Sequence, residues 1–265
     1  MKYFFAGIKG SGMSALATML YDSGNEIIGY DDFNHTAESD KPLVERGIPI
    51  YNDLSHMEKG MIYVHTAAIH KDHKSYIKAK ELGLPIFSYF EMIGELTKKY
   101  ESICISGTHG KTTTTAMLSR IFSNTIGTNY IIGDGTGFLD KNSNLLVVES
   151  CEFERHFLAY DPDYTIITNI DLDHVDCYKN IDEIVSVFQQ FVDKTKNIVI
   201  ACGDDLNVRR LKSDKIVYYG FNDNNDVVAK NVKLNQYDSS FDVYIRGEFY
   251  EHFDIKLYGN HMILD

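Results

Sequence analysis

The chain has 265 residues, a 44% hydrophobic fraction, a formal net charge of −12 and a pI near 5.2. That length suits about two domains. The lack of any apolar run near 18 residues excludes a membrane-spanning helix, and the acidic balance disfavours nucleic acid as a partner, since phosphate neutralisation needs clustered Lys and Arg.

The chain opens on "KYFFAGIKG", a buried strand interrupted by glycines and lacking a cleavage-site pattern, so it does not read as a signal peptide. Residues 13 to 23, "MSALATMLYDS", predict a helix stopped by Gly24, and "EIIGYD" the second strand. "IPIY", "MIYVHT" and "PIFS" predict further strands, with a helix over "HKSYIKAKELG". Strands alternating with helices imply a parallel sheet with crossover helices. The pattern restarts at "SICIS", a strand, followed by a glycine-rich loop and the helix "TTTTAMLSRIFS". "LLVVES", "YTIITNI" and "NIVIAC" predict strands, and "NIDEIVSVFQQFVDK" an amphipathic helix. Beyond residue 215, "KIVYYGF", "DVVAKNVKL", "SFDVYIRG" and "YEHFDIKLYG" alternate apolar with polar residues, which predicts antiparallel strands. "NHMILD" looks like the start of a helix. The expected domains are 1–98, 99–258 and the opening of a third at 259–265, with the first boundary in the charged stretch at Lys98–Lys99. The four cysteines (104, 151, 177 and 202) form no C-x-x-C pair, so neither a zinc site nor a redox motif is expected. Reduced thiols and a cytoplasmic location are the expectation.

The stretch "ISGTHGKTTTT", residues 105–115, carries the clearest chemistry. Gly107 and Gly110 bracket Thr108 and His109 between a strand and a helix. Such a turn converges backbone N–H groups on an anion, and the helix N-terminus adds partial positive charge. Lys111 is placed to reach β- and γ-phosphates, and Thr112 to offer a hydroxyl to Mg²⁺. Ile105 stands where the strict phosphate-loop pattern has glycine, so the motif is the shortened G-x-x-G-K-T. Thr112 and Thr113 are explained if their hydroxyls serve phosphate or metal; Thr114 and Thr115 are expected to pack or bond back to the helix. Glu149 ends the strand "LLVVE" at the carboxyl edge of the sheet, and His174 follows "YTIITN" in "TNIDLDHVD". Singly these read as a solvated carboxylate and a loop histidine; after two strands of one phosphate-loop sheet they suggest a Mg²⁺ site. At the N-terminus Gly10, Gly12 and Ala15 satisfy G-x-G-x-x-A, and Asp31 ends the second strand, where a ribose-binding acid belongs. That motif alone names no particular nucleotide.

"GIKGSGMSALA", "HTAAI", "GTHGKTTTT", "VVESCEFERHFL" and "TNIDLDHVD", in this order and spacing, resemble the Mur ligases of peptidoglycan synthesis. The likeness is nearest to the branch that joins L-alanine to UDP-N-acetylmuramate, although Cys151 stands where other members carry an acidic residue. The resemblance implies an α/β protein: a Rossmann-like UDP-sugar-binding domain, then a P-loop ATPase domain with an added antiparallel β segment. A third domain would begin in "YGNHMILD", so the chain is expected to be a fragment of a longer ligase or itself truncated, and poorly active as it stands. The implied chemistry is ATP-dependent, with Mg²⁺ (or Mn²⁺) as cofactor, through an acyl phosphate. By the same resemblance Thr112 and Glu149 hold one Mg²⁺ and His174 a second, with Lys111, Glu149 and His174 as catalytic residues. Gly10, Ser11, Gly12 and Met13 meet the UDP pyrophosphate; Asp31 and the segment Thr66, Ala67, Ala68 lie near the uridine. No lysine precedes Lys194 on the helix after His174, which agrees with the branch that lacks a carbamylated lysine. A tripeptide-adding recycling ligase, a non-catalytic UDP-sugar-binding remnant and a P-loop ATPase with a dinucleotide-binding domain remain alternatives.

Overall fold

The computed structural model describes residues 1–32, 38–173 and 177–265. The chain divides into two compact units: Met1–Glu101 with Leu118–Val148, and Ser102–Met117 with Glu149–Asp265.

The first unit is built on a parallel sheet of β1 (Lys2–Ala6), β2 (Glu26–Tyr30), β3 (Ile50–Tyr51), β4 (Ile62–His65) and β5 (Ile86–Ser88), in the order β3-β2-β1-β4-β5. Crossovers run through α1 (Ser11–Asp22), α2 (Lys41–Glu45) and α3 (Lys74–Glu81). β1 and β2 bury four of their five residues each, which is why they read as continuous apolar runs. Phe4, Tyr30 and Tyr63 stack across three strands, with centroids 6.2 and 6.4 Å apart. The buried Tyr63 hydroxyl meets Ser75 Oγ at 2.7 Å, so its polar end is satisfied inside the core. α4 (Tyr89–Lys99) was not among the predicted elements. Its signal is a capping box: Ser88 Oγ accepts the Glu91 N–H and the Glu91 carboxylate accepts the Ser88 N–H.

The later segment of this unit holds β7 (Asn129–Ile131), β8 (Gly137–Phe138) and the start of β9 (Leu145–Glu149). β7 pairs antiparallel with β8 and parallel with β9. The turn between β7 and β8 approaches the first turn of α1 so closely that a Cβ on Gly135 (φ +91°) would lie 2.6 Å from Ser11 Cβ.

In the second unit β6 (Glu101–Ser106), β10 (Tyr164–Ile167), β11 (Ile198–Cys202), β12 (Ile216–Gly220), β13 (Val227–Leu234), β14 (Ser239–Ile245) and β15 (Glu248–Ile255) are neighbours in the order β6-β10-β11-β12-β13-β14-β15. α5 (Lys111–Ser123) starts here, after a loop of four residues that follows β6. α6 (Ile181–Lys194) buries Ile184, Val187, Phe188, Phe191 and Val192, a one-faced spacing, and Phe157 stacks on Phe191 at 4.4 Å. The antiparallel expectation beyond residue 215 holds for β13, β14 and β15 and fails for β12, which runs parallel to both β11 and β13. Alternation reports a half-exposed strand, whereas direction follows connectivity. The link from β11 to β12 crosses over through a 3₁₀ turn at Val208–Arg210, and the short link to β13 wraps the Asp204 carboxylate. The predicted terminal helix is α7 (Asn260–Leu264).

Candidate functional site

The phosphate-loop residues lie between β6 and α5. Gly107 has φ +143°, and a Cβ there would overlap Thr168 Oγ1, so only glycine fits between this turn and the end of β10. Thr168 and Asn169 clamp the loop. Asn169 O accepts Thr108 N–H at 3.1 Å, and its side chain grips the His109 peptide from both sides, accepting N–H at 2.8 Å and donating to C=O at 2.9 Å. Thr168 Oγ1 donates to the same carbonyl at 2.5 Å, and Asp171 N–H donates to Thr108 Oγ1 at 2.8 Å. The amides of Thr108 and His109 are therefore engaged within the chain. The first amides of α5 have no intrahelical acceptor, so they are the donors of this turn that an anion could use.

Thr112 Oγ1 donates to Glu149 Oε1 at 2.9 Å, which brings together two of the three sequence-predicted metal residues. A hydroxyl and a carboxylate are the hard oxygen donors Mg²⁺ takes, so the pair fits that ion. The third, His174, lies outside the described residues. Thr114 and Thr115 bond back to the carbonyls of Gly110 and Lys111, at 3.0 and 2.7 Å, as expected for threonines without a ligand role; Thr113 is half-buried. Lys111 Nζ donates to the carbonyls of Gly107 and Thr108 and lies 3.1 Å from the Glu152 carboxylate. Glu152 is only 2% exposed. It follows the strand by three residues and was not among the predicted site residues.

Just beyond it the backbone is strained. Glu154 (φ 47°) and Arg155 (φ 61°) are consecutive non-glycine residues in the left-handed region, costing of order 1–3 kcal/mol each. Four anchors hold this turn: Arg155 N–H to Glu152 O, the Tyr178 hydroxyl to the same carbonyl, Phe157 N–H to Cys151 O, and the Arg155–Glu183 ion pair at 2.9 Å. Burial pushes the Cys151 thiol up, so this cysteine is not an activated nucleophile.

In the first unit the predicted substrate residues gather at the C-terminal ends of β1, β2 and β4. The strand order reverses at β1, the position where doubly wound sheets bind ligands. Gly10 is the extended N-cap of α1, followed by Ser11, Gly12 and Met13. Met13 is buried, which leaves its backbone for any ligand. Asp31 is also buried, and its Oδ2 accepts Lys9 N–H at 3.1 Å, so it pins the glycine turn. Thr66 is half-buried at the exit of β4, with Ala67 and Ala68 beyond it. Sequence reasoning missed Asp32, which accepts Tyr30 Oη at 2.5 Å, His73 Nε2 at 3.0 Å and Lys74 Nζ at 2.8 Å. The bonds from Lys74, Tyr30 and His73 hold its carboxyl down to about 2.

The Mur ligase family model for the catalytic domain matches residues 2–101, and that for the Mur ligase middle domain matches residues 105–264. This chain belongs to the Mur ligase family. Among solved structures, the UDP-N-acetylmuramate-alanine ligase MurC of Thermotoga maritima is similar over 100% of this chain and 62% of its own, at 27% identity and TM-score 0.81. The UDP-N-acetylmuramate:L-alanyl-gamma-D-glutamyl-meso-diaminopimelate ligase of Neisseria meningitides shares the fold over 99% of this chain and 90% of its own, at 20% identity and TM-score 0.84. A murein peptide ligase of Psychrobacter arcticus shares it over 100% of this chain and 63% of its own, at 20% identity and TM-score 0.79. The Mur ligase chain described here thus spans less than two thirds of the Thermotoga and Psychrobacter proteins. Among its described residues no helix is long and apolar enough to cross a membrane.

Proposed function

We propose that this Mur ligase chain carries the sugar-nucleotide and ATP sites of an enzyme that joins L-alanine to UDP-N-acetylmuramate in the cytoplasm. The observation that carries the reading is the gathering, at the start of α5, of Thr112 with Glu149 and of Lys111 with Glu152.

The reaction needs a leaving group, because carboxylate and amine do not condense in water. A lactoyl carboxylate oxygen attacks the γ-phosphorus of ATP, the bond to the β-phosphate oxygen breaks, and ADP departs. The alanine amine then attacks the acyl phosphate carbonyl, the C–O bond to phosphate breaks, and the amine loses its proton. Two anions must meet in the first step, so positive charge and oriented amides dominate catalysis. Lys111 supplies the charge, and the first amides of α5 receive phosphate oxygens. Thr168 and Asn169 fix the loop, so no reorganisation is needed at the moment of reaction. Thr112 and Glu149 would hold Mg²⁺, with His174 at a second ion. A bound Mg²⁺ screens the phosphates and polarises the transferred group. Gly10, Ser11, Gly12 and Met13 bind the UDP pyrophosphate, with Asp31, Thr66, Ala67 and Ala68 toward the uridine.

L-alanine is favoured over a tripeptide by the 27% identity to the Thermotoga enzyme; the tripeptide ligase of Neisseria stands at 20%. The test is product mass after incubation with MgATP, UDP-N-acetylmuramate and equal amounts of L-alanine and L-alanyl-γ-D-glutamyl-meso-diaminopimelate. The alanyl product is expected. The tripeptide product alone overturns the specificity, and ADP formation indifferent to the sugar nucleotide overturns the ligase reading.

A further inference from the structure

Lys111 is the cation on which nucleotide binding depends, yet its ammonium is already fully engaged. It has three protons and meets three acceptors: the carbonyls of Gly107 and Thr108, and the Glu152 carboxylate, with oxygens at 3.1 and 3.3 Å. Two of these acceptors belong to the loop that would receive the phosphates. The third is a full negative charge whose side chain is 3% exposed, so the attraction is little screened by water. Phosphate must therefore draw the ammonium away from acceptors it already holds.

The backbone beside Glu152 is built to keep that carboxylate in place. The strained Glu154–Arg155 turn closes on Glu152 O through Arg155 N–H, and the buried Tyr178 hydroxyl donates to the same carbonyl. The Arg155–Glu183 pair ties the turn to the first turn of α6, where Asn180 caps Glu183 N–H. A strained turn persists only where its surroundings over-determine it, and its product here is a fixed Glu152 peptide.

We infer that Glu152 is a positioning residue that latches Lys111 onto its own loop until nucleotide arrives. The latch rests on the assignment of the loop as the ATP site. It keeps the lysine ordered without ligand and makes nucleotide affinity lower than the loop alone would give. Its signature is a gain of affinity on removal, which general damage to the site does not produce.

The test is a double-mutant cycle on the 265-residue chain, with Mg²⁺ and a fluorescent N-methylanthraniloyl ADP as probe. Glu152→Gln keeps the shape and removes the charge. It is expected to tighten binding on the order of tenfold, within the coupling range of residues sharing one ion-pair network. In a Lys111→Met background the same change is expected to have no effect on affinity. Tighter binding of equal size in that background would mean that Glu152 repels the phosphates directly, and weaker binding in Glu152→Gln would mean that it supports the bound state; either overturns the latch. Should Lys111→Met fail to fold, the acetylation rate of Lys111 by acetic anhydride decides, read by mass spectrometry in wild type and Glu152→Gln. A faster rate in the variant supports the latch and an unchanged rate overturns it. If Lys111→Met folds and binds the probe like wild type, the ATP-site assignment fails instead, whatever Glu152→Gln does.

Discussion

Asn169→Ala probes the loop clamp most cleanly. Asn169 makes two side-chain hydrogen bonds, both to the His109 peptide, at 2.8 and 2.9 Å, and sits on the strand exit instead of in the loop itself. A typical net value is about 0.5–1.5 kcal/mol per bond, so the pair is worth about 1–3 kcal/mol. Both bonds lie at the exposed end, where water can replace the lost partner, so the lower half of that range applies. The Asn169 backbone carbonyl still holds Thr108 N–H, and Thr168 Oγ1 still holds the His109 carbonyl. The loop should therefore stay in place but lose order. Ordering it again on binding is expected to cost nucleotide affinity about 1–2 kcal/mol, or roughly fivefold to thirtyfold. Titration with fluorescent ADP and Mg²⁺ reads this directly, and titration with UDP-N-acetylmuramate serves as control. The melting temperature is expected to fall by roughly 2–8 °C, from about 2–4 °C per kcal/mol for a chain of this size. Unchanged ADP affinity alongside a lowered melting temperature would refute the reasoning: the clamp would then serve stability alone.

Four further outcomes follow from the same geometry. Glu149→Gln is expected to weaken ADP binding in Mg²⁺ and to leave binding in EDTA unchanged, since a hard cation prefers a carboxylate to an amide; equal losses in both buffers would make Glu149 structural. Lys111→Ala should abolish ADP formation and leave calorimetric affinity for UDP-N-acetylmuramate within about twofold, because the two glycine turns belong to separate units. Gly107→Ala should destabilise by more than about 2 kcal/mol in urea unfolding, combining a positive φ with overlap of Thr168. Asp32, whose carboxyl is held down to about 2 in the fold, adds stability that is present above the unfolded carboxylate range and lost as pH falls through about 2. Its side chain is 41% exposed, so Asp32→Asn should cost at most about 1 kcal/mol at neutral pH, and the difference from wild type should close in acid.

The sequence made the buried strands legible because β1, β2, β6 and β9 are short apolar runs between turn residues, and burial on both faces leaves little else they can be. The glycine turn at 107–110 was legible because its glycines are forced by positive φ and close approach. α4 was hidden because its start, "SYFEM", follows a strand without a break; the Ser88–Glu91 box is the local mark of where the strand ends. The direction of β12 was illegible because alternation fixes a face and leaves the partner open. In the site, Thr112 and Glu149 followed from strand ends and motif register. Asn169 and Glu152 did not, because their work is done through a peptide group and a lysine 60 and 41 residues away, and no spacing rule reaches across such distances.

The most direct measurement of the central claim uses UDP-N-acetylmuramate labelled with oxygen-18 in both carboxylate oxygens, incubated with this chain, MgATP and L-alanine. The account predicts UDP-N-acetylmuramoyl-L-alanine as the product. For each amide made, one phosphate should carry one oxygen-18, the atom that bridged carbon and phosphorus in the acyl phosphate. Amide product accompanied by unlabelled phosphate would contradict that route, and ADP release that ignores the sugar nucleotide would contradict the ligase assignment itself.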